Sequence, residues 1–231
     1  MKRVKATVLT LGLAALLVGF NANASLLIDG FGDQQGDSVT KAVIDGGGGF
    51  DSDTIFNITD TDLGATTDRT LTVVRTGGMG GAVSAFVGPA GRYNYSQDSD
   101  AEGIGTIVWD DFGTVDLSGG LSILVDIFQL DTGTGSNLDL TFTLFEGLNS
   151  ESVTKNFVAD VNNTVATYAF AGVAVNLALI DKIMFEVDGS GSSAADLSIN
   201  FIEAVPEPSA LLLLSVGLIG VGAVARRAKA S

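Results

Sequence analysis

The most constraining feature of this sequence is an alternation of apolar and polar residues with a period of two. In residues 138–145 the apolar Leu138, Leu140, Phe142 and Leu144 alternate with polar residues. Side chains two apart along a β-strand point to the same face, so this pattern predicts a strand with one buried and one exposed face. A helix would need apolar residues three or four apart, and that spacing is nearly missing between the chain ends. The body is therefore predicted to be all-β.

About a dozen segments carry this alternation or a short run of β-prone residues, and turns rich in Gly and Asp separate them. This arrangement is typical of an antiparallel β-sandwich of the jelly-roll kind, in which we expect the first and last strands to pair. The predicted strands are 26–29, 39–44, 69–75, 82–87, 92–96, 105–109, 121–128, 138–145, 152–157, 166–170, 182–188 and 197–201.

The sequence contains neither histidine nor cysteine. This excludes disulfides, Ser-His-Asp and Cys-His nucleophilic sites, and zinc or haem sites that need a histidine ligand. An enzymatic hypothesis is left with carboxylates such as Asp110 and Asp111, or Glu102 with either of them, as a glycosidase pair. Because adjacent strand residues point to opposite faces, such a pair is expected to be poor, and we predict a protein that is not an enzyme.

The charge of the chain excludes one class of partner. It has 27 acidic residues and 12 basic ones, and half of the basic residues lie in the first five and last six positions. The body between them is strongly acidic, so it repels the phosphates of nucleic acids. An acidic exported domain fits solubility, repulsion from anionic lipid or the binding of cations.

The first 24 residues have the three parts of a secretory signal peptide. The first five residues are basic, and residues 8–20 are apolar but too few to span a membrane. Ala22, Asn23 and Ala24 then form an A-x-A cleavage site. We expect export by the Sec translocon and a cut by signal peptidase between Ala24 and Ser25.

A stiff, extended segment is predicted near the other end of the chain. Pro206 and Pro208 lack a backbone N–H, and each pushes the residue before it toward extended geometry. A processing enzyme can bind such a segment as a strand. The expected recognition element consists of Val205, Pro206, Glu207 and Pro208.

A membrane segment is predicted directly after these prolines. Residues 210–225 carry no charge and, as a helix with a rise of ~1.5 Å per residue, would be roughly 24 Å long. This is slightly shorter than the ~30 Å hydrocarbon core, and the long arms of Arg226 and Arg227 extend its reach. The positive-inside rule keeps the basic end in the cytoplasm.

These three parts together resemble the PEP-CTERM sorting signal of Gram-negative bacteria, which exosortases recognise. The resemblance implies transient anchoring in the inner membrane, cleavage near Pro-Glu-Pro, and release or transfer to the cell surface or the extracellular space. The mature product would then have no membrane helix; the alternative is an ordinary single-pass anchor. We divide the chain into a signal peptide (1–24), a β-sandwich domain (25–204) and a sorting signal (205–231).

The body carries a second, looser resemblance, in residues 27–31, 103–110 and 180–189. It is similar to the exported domains that commonly precede PEP-CTERM tails, and to galactose-binding-like and carbohydrate-binding jelly rolls. The resemblance implies a non-enzymatic module of the cell surface or biofilm matrix that associates with exopolysaccharide. The alternatives are a purely structural or adhesive matrix protein without a small ligand, and a carboxylate-dependent glycan-active enzyme.

Three aromatic residues are candidates for glycan binding. Tyr93 and Tyr95 are two apart and share one face of a predicted strand, and the only tryptophan, Trp109, precedes two aspartates. Aromatic faces stack on the C–H surfaces of sugars while carboxylates bind the hydroxyls. The alternative is packing in the core or across strands.

Four aspartates are candidates for a structural calcium site. Asp29 and Asp33 lie close together in the sequence, and Asp51 and Asp53 form an Asp-x-Asp pair. Carboxylate oxygens are the ligands that Ca²⁺ prefers, although no EF-hand spacing occurs. The alternative is that these aspartates stabilise turns and interact with solvent.

Overall fold

The computed structural model describes residues 25–33, 41–45, 49–118, 121–133 and 137–206. The helices predicted for the signal peptide and for residues 210–225 lie outside these ranges. Within them the only helical element is a 3₁₀ turn, Leu177–Leu179. None of the described helices is long and apolar enough to cross a membrane.

The described residues form thirteen strands, which confirms the all-β prediction. They are β1 Leu26–Asp29, β2 Lys41–Asp45, β3 Gly49–Ile55, β4 Asp68–Gly78, β5 Ala82–Gly88, β6 Arg92–Gln97, β7 Ala101–Asp110, β8 Leu121–Asp131, β9 Leu138–Glu146, β10 Asn149–Phe157, β11 Val161–Phe170, β12 Lys182–Asp188 and β13 Asp196–Pro206.

The strands form two antiparallel sheets. Sheet 1 has the order β11-β8-β13-β6-β5-β2, and β1 pairs with β13. Sheet 2 has the order β10-β9-β12-β7-β4-β3. The pairing of β1 with β13 confirms the expected contact between the first and last strands. The two sheets bury their apolar faces against each other, as in a β-sandwich.

Four aromatic rings hold the middle of the sandwich together. The ring of Phe142 lies 5.1 Å from that of Phe185, 5.4 Å from that of Tyr168 and 6.4 Å from that of Trp109, measured between centroids. Tyr168 belongs to sheet 1 and the other three to sheet 2. The cluster therefore joins the two sheets, and each of these large rings is fully buried.

A buried ion pair ties β1 to sheet 2. Arg69 donates from Nη1 to Asp29 Oδ2 over 2.7 Å, and neither side chain is exposed. Trp109 Nε1 donates to the same oxygen over 2.8 Å, and the N–H of Phe31 donates to Oδ1. Burial raises the pKa of Asp29, against the opposing effect of Arg69. Removing either partner would leave an uncompensated charge inside the protein.

The structure departs from the predicted strands in two places. Strand β3 was not predicted, because Asp51, Ser52 and Asp53 read as a loop. It pairs with β4 at the edge of sheet 2, where both faces of a strand can be polar. Strand β13 runs to Pro206, beyond the expected domain boundary at residue 204, and Pro206 pairs with Leu121. The other predicted strands are confirmed, with ends that differ by a few residues.

Candidate functional site

The three aromatic residues predicted to bind glycan lie in the core. Tyr93 and Trp109 have no exposed surface, and Tyr95 is 1% exposed. Each points inward from its strand, so none presents a ring face to a sugar, and the prediction is corrected for all three. The inward place of Tyr95 depends on β7, because its ring lies where a Cβ on Gly105 would come within 2.5 Å.

The four candidate calcium ligands are not brought together. The carboxylate of Asp29 accepts hydrogen bonds from Arg69, Trp109 and Phe31. The prediction of Asp29 as a metal ligand is therefore wrong, and this residue forms an ion pair with Arg69. Asp51 and Asp53 lie on the exposed edge strand β3. In the described part of the chain no group of three or more acidic residues could hold a metal ion. Calcium binding stays a prediction.

Asp33 instead fastens the segment after β1 to a neighbouring loop. Its carboxylate accepts hydrogen bonds from the hydroxyl and N–H of Thr59 and from the N–H of Asp60. Burial raises the pKa of Asp33, but these hydrogen bonds outweigh burial and hold the pKa below its usual value. Asp33 is therefore a structural anchor of the described fold.

Of the carboxylates in the glycosidase hypothesis, Glu102 lies far from Asp110 and Asp111. Glu102 and Asp110 lie near opposite ends of β7, and eight residues of strand span ~27 Å, too far for a catalytic pair. Asp110 lies opposite Asp68 and next to Asp111, which has a left-handed backbone with φ of 61°. Burial, and then Asp68 and Asp111, raise the pKa of Asp110.

The outer face of sheet 1 contains a shallow groove of about 360 Å³. Four neighbouring strands, β5, β6, β13 and β8, form it. Tyr95 and Leu197, whose side chains point inward, also line it. The side chains along it are Ser84, Phe86, Asn94, Ser96, Gln129, Asp196 and Ser198. We call the surface formed by these seven side chains the groove.

The register of the strands places the groove residues in a straight row. Phe86 lies opposite Asn94, Asn94 opposite Ser198, and Ser198 opposite Gln129. The row continues to Asn162 on β11. Four strand steps of ~4.8 Å make this row ~19 Å long. A partly exposed ring therefore begins a continuous line of amide and hydroxyl groups.

At least two polar side chains of the groove have no hydrogen-bond partner among the residues that the structure describes. The hydroxyl of Ser198 binds Oδ1 of Asn94, and Nδ2 of Asn94 donates to the carbonyl of Arg92. In contrast, the side chains of Ser84 and Gln129 make no hydrogen bond within the described ranges. A hydroxyl and an amide can each donate and accept, so these groups suit a ligand with many hydroxyls.

Arg92 builds a fixed wall beside the groove. Its guanidinium carbon lies 3.6 Å above the centroid of the Phe128 ring, and its Nε donates to Asn200 Oδ1 over 2.8 Å. Nδ2 of Asn200 donates to Asp126 over 3.2 Å. Stacking and hydrogen bonding together hold the planar guanidinium in one orientation.

The groove was not predicted from the sequence, because the candidate ligand-binding residues of β6 were its tyrosines and not the residues between them. Arg92, Asn94 and Ser96 occupy the alternate positions of that strand. Once the tyrosines are placed inside, alternation puts these three outside, and this was the available signal.

The outer face of sheet 2 has a different chemistry, and we call it the threonine face. Its hydroxyls bind each other across the strands, at 2.8 to 3.0 Å. Burial, and then Asp188, raise the pKa of Glu186, which lies in the middle of this face. The hydrogen-bonded pairs are Ser52 with Thr72, Thr54 with Thr70, Thr141 with Thr154, and Thr143 with Ser152.

Residues 204–227 match the PEP-CTERM protein-sorting motif. This confirms the sorting signal predicted from the sequence and marks an exported protein that an exosortase processes at a membrane-anchored carboxyl end. Val205 and Pro206 are the last residues of β13. Glu207, Pro208, Arg226, Arg227 and Ala24 lie outside the described residues, and Ser25 is the first described residue.

Several solved structures are similar to the described fold. A family 11 carbohydrate-binding module of a cellulosomal cellulase of Clostridium thermocellum is 13% identical, with 78% of this chain and 94% of that chain covered and a TM-score of 0.36. A family 29 carbohydrate-binding module complexed with mannohexaose is 13% identical, with 72% and 92% covered and a TM-score of 0.33.

An agarase is also similar, at 13% identity with 60% of this chain covered and a TM-score of 0.39. The chain spans 24% of that enzyme's length. All three TM-scores are below 0.5, so these likenesses carry no argument about the ligand or the activity. The search of curated proteins finds no match.

Proposed function

We propose that this protein is an exported, non-enzymatic glycan-binding protein that holds a stretch of polysaccharide in the groove. The observation that carries the proposal is the row across four strands, in which Phe86 is followed by Asn94, Ser198 and Gln129. An extended ligand with hydroxyls along its length can follow such a row.

The chemistry of the groove favours a neutral glycan. The partly exposed ring of Phe86 offers a surface for the C–H face of a sugar, and Ser84 and Gln129 offer donors and acceptors that no described residue uses. The acidic charge of the chain disfavours polyanions. The sorting motif supports a place outside the cell, so we propose a polysaccharide of the cell surface or biofilm matrix as the ligand.

A pair of matched double variants tests this proposal. The mature chain, starting at Ser25, is screened on a glycan array, and calorimetry then measures its affinity for the best neutral oligosaccharide. We expect dissociation constants in the micromolar range and at least a tenfold loss of affinity in Phe86→Ala/Gln129→Ala. The control, Thr72→Ala/Thr141→Ala, removes as many side chains from the threonine face and should bind as the wild type does.

Three outcomes would contradict the proposal in whole or in part. Absence of any glycan signal, together with retention of the protein in biofilm matrix, would favour a structural or adhesive protein. Equal loss of affinity in the groove variant and its control would place binding elsewhere. Release of reducing ends from the organism's own polysaccharide would contradict the non-enzymatic part alone.

A further inference from the structure

One end of the sandwich combines the exit of the chain with exposed apolar side chains. Strand β13 ends at Pro206, which pairs with Leu121 on β8, and Leu121 pairs with Phe170 at the end of β11. Two strand steps of ~4.8 Å therefore separate Pro206 from Phe170, about 10 Å. The segment 171–181 starts there and crosses from sheet 1 to the start of β12 in sheet 2.

Three apolar side chains at this end point into solvent. Leu148, in the turn between β9 and β10, is fully exposed, Val173 is 85% exposed and Leu179 is 46% exposed. The turn at Leu148 lies at the same end, because Phe145 just before it pairs with Lys182, the first residue of β12. We call Leu148, Val173 and Leu179 the apolar tip.

Hydrogen bonds from backbone N–H groups to three carboxylates brace the segments that carry the apolar tip. Glu151 accepts from the N–H of Val173, and Asp181 accepts from the N–H of Gly147 over 2.8 Å. Glu146 accepts from the N–H of Asn176 over 2.8 Å. The turn at Leu148 and the segment 171–181 are thus one connected unit, and its apolar residues are presented together.

The sequence after Pro206 limits how far this end can be from a membrane. The uncharged segment 210–225 belongs to the matched sorting motif, and only Glu207, Pro208 and Ser209 precede it. Three residues reach at most about 10 Å even when fully extended. While the tail is uncut, the end with the apolar tip is therefore held within about that distance of the lipid.

We propose that the apolar tip rests in a zwitterionic lipid surface until the tail is cut. Apolar side chains at an interface bury themselves about 5–10 Å deep, at the boundary of headgroups and acyl chains, and the short connection brings the tip to that depth. The acidic body is repelled by anionic headgroups, so the contact is strongest on zwitterionic lipid. The domain thereby stands end-on, with the groove on a side wall that stays in solvent.

Single-cysteine labelling tests the proposal directly, because the natural chain has no cysteine. The mature chain with its whole tail is reconstituted into phosphatidylcholine vesicles that contain a lipid-borne quencher. An environment-sensitive dye is attached to Leu148→Cys or Val173→Cys. Matched controls are Met79→Cys and Val158→Cys, which replace exposed apolar residues at the opposite ends of β4 and β10. Melting of each labelled variant establishes that it is folded.

We expect the dyes at positions 148 and 173 to be quenched at least threefold more than those at 79 and 158, with blue-shifted emission. Addition of anionic phosphatidylglycerol should weaken this difference. Equal quenching at all four positions would overturn the proposal. A blue shift of the dyes at positions 148 and 173 that occurs only after the sorting enzyme is added to the vesicles would also overturn it. That enzyme, and not the lipid, would then be the partner of the apolar tip.

Discussion

The two outer faces of the sandwich are similarly polar but differ in how their hydrogen bonds are used. On the threonine face, hydroxyls lie opposite hydroxyls and satisfy each other across the strands. In the groove, side chains of different kinds lie side by side, and Ser84 and Gln129 remain without a partner in the described ranges. Unused hydrogen-bonding groups beside a partly exposed ring indicate a binding surface better than polarity alone does.

The central strands of the two faces, β13 and β12, also differ in regularity. Strand β13 shifts register against β8 on both sides of Ile199, whereas β12 pairs with β7 and with β9 without a shift. Bulges re-aim side chains and disturb matched cross-strand rows. The wall formed by Arg92, Phe128 and Asn200 lies beside this irregular stretch.

The largest effect is expected from the scaffold that both faces share. Asp29→Ala leaves the buried charge of Arg69 unpaired, which costs about 3–5 kcal/mol. The melting temperature should fall by at least 6 °C, at about 2–4 °C per kcal/mol for a domain of this size. Asp62→Ala, which removes a hydrogen bond between an exposed carboxylate and the N–H of Leu27, is the control and should lower it far less. Differential scanning calorimetry measures both melting temperatures. An equal decrease in the two variants would contradict a stabilising role for the buried ion pair.

A matched pair of cation–π contacts sharpens the comparison of the faces. Arg92 lies over Phe128 beside the groove, and Lys182 lies 4.0 Å from the ring centroid of Phe145 on the threonine face. Arg92→Ala and Lys182→Ala should each cost about 1 kcal/mol of stability or less. Only Arg92→Ala should weaken glycan binding, by about fivefold in calorimetry. Weaker glycan binding in Lys182→Ala would show that the threonine face also takes part in binding.

The threonine face should tolerate the loss of a whole hydroxyl pair. Thr141→Val/Thr154→Val removes both partners, so no group is left unsatisfied, and valine suits a strand. We expect a change of less than about 1 kcal/mol in the free energy of unfolding and unchanged glycan affinity. Urea unfolding measures the first and calorimetry the second. A large loss in either would show that these hydroxyls do more than pair.

The smallest effect concerns Glu186 and depends on pH. Its pKa is raised in the folded state, so the contribution of this group to stability is greatest below its unfolded value near 4.5 and falls as the pH rises through the folded value. Glu186→Gln should therefore melt about 1 °C above the wild type at pH 7, and the two curves should meet below pH 4. A melting temperature of Glu186→Gln below that of the wild type at pH 7 would contradict a raised pKa of Glu186 in the folded state.

Alternation was enough to predict most strands but not which residues would meet. The sequence of β6 shows that its tyrosines share a face, yet their inward place depends on Gly105 in β7, which leaves space for the ring of Tyr95. Edge strand β3 was not predicted because an edge permits polar residues on both faces of a strand, here Asp51 and Asp53 on one face and Ser52 on the other. The local sequence pattern predicts which segments form strands, whereas the pairing of strands that are distant in the chain determines which side chains are buried.

The sequence of β6 indicates which of its residues face outward, but the groove as a whole could not be predicted, for a related reason. Phe86, Asn94, Ser198 and Gln129 come from four strands whose spatial order differs from their order in the chain. Their alignment also requires a register that only the folded sheet supplies. The sorting signal is contiguous, so Pro206 and its neighbours could be recognised directly.

Mapping a bound oligosaccharide by amide chemical shifts shows whether the groove holds the glycan. Isotope-labelled mature protein is titrated with the best neutral glycan from the array. We expect the largest shifts on β5, β6, β13 and β8, around Phe86, Asn94 and Ser198, and no shifts on β3, β4 and β10. Shifts concentrated on the strands of the threonine face would contradict it.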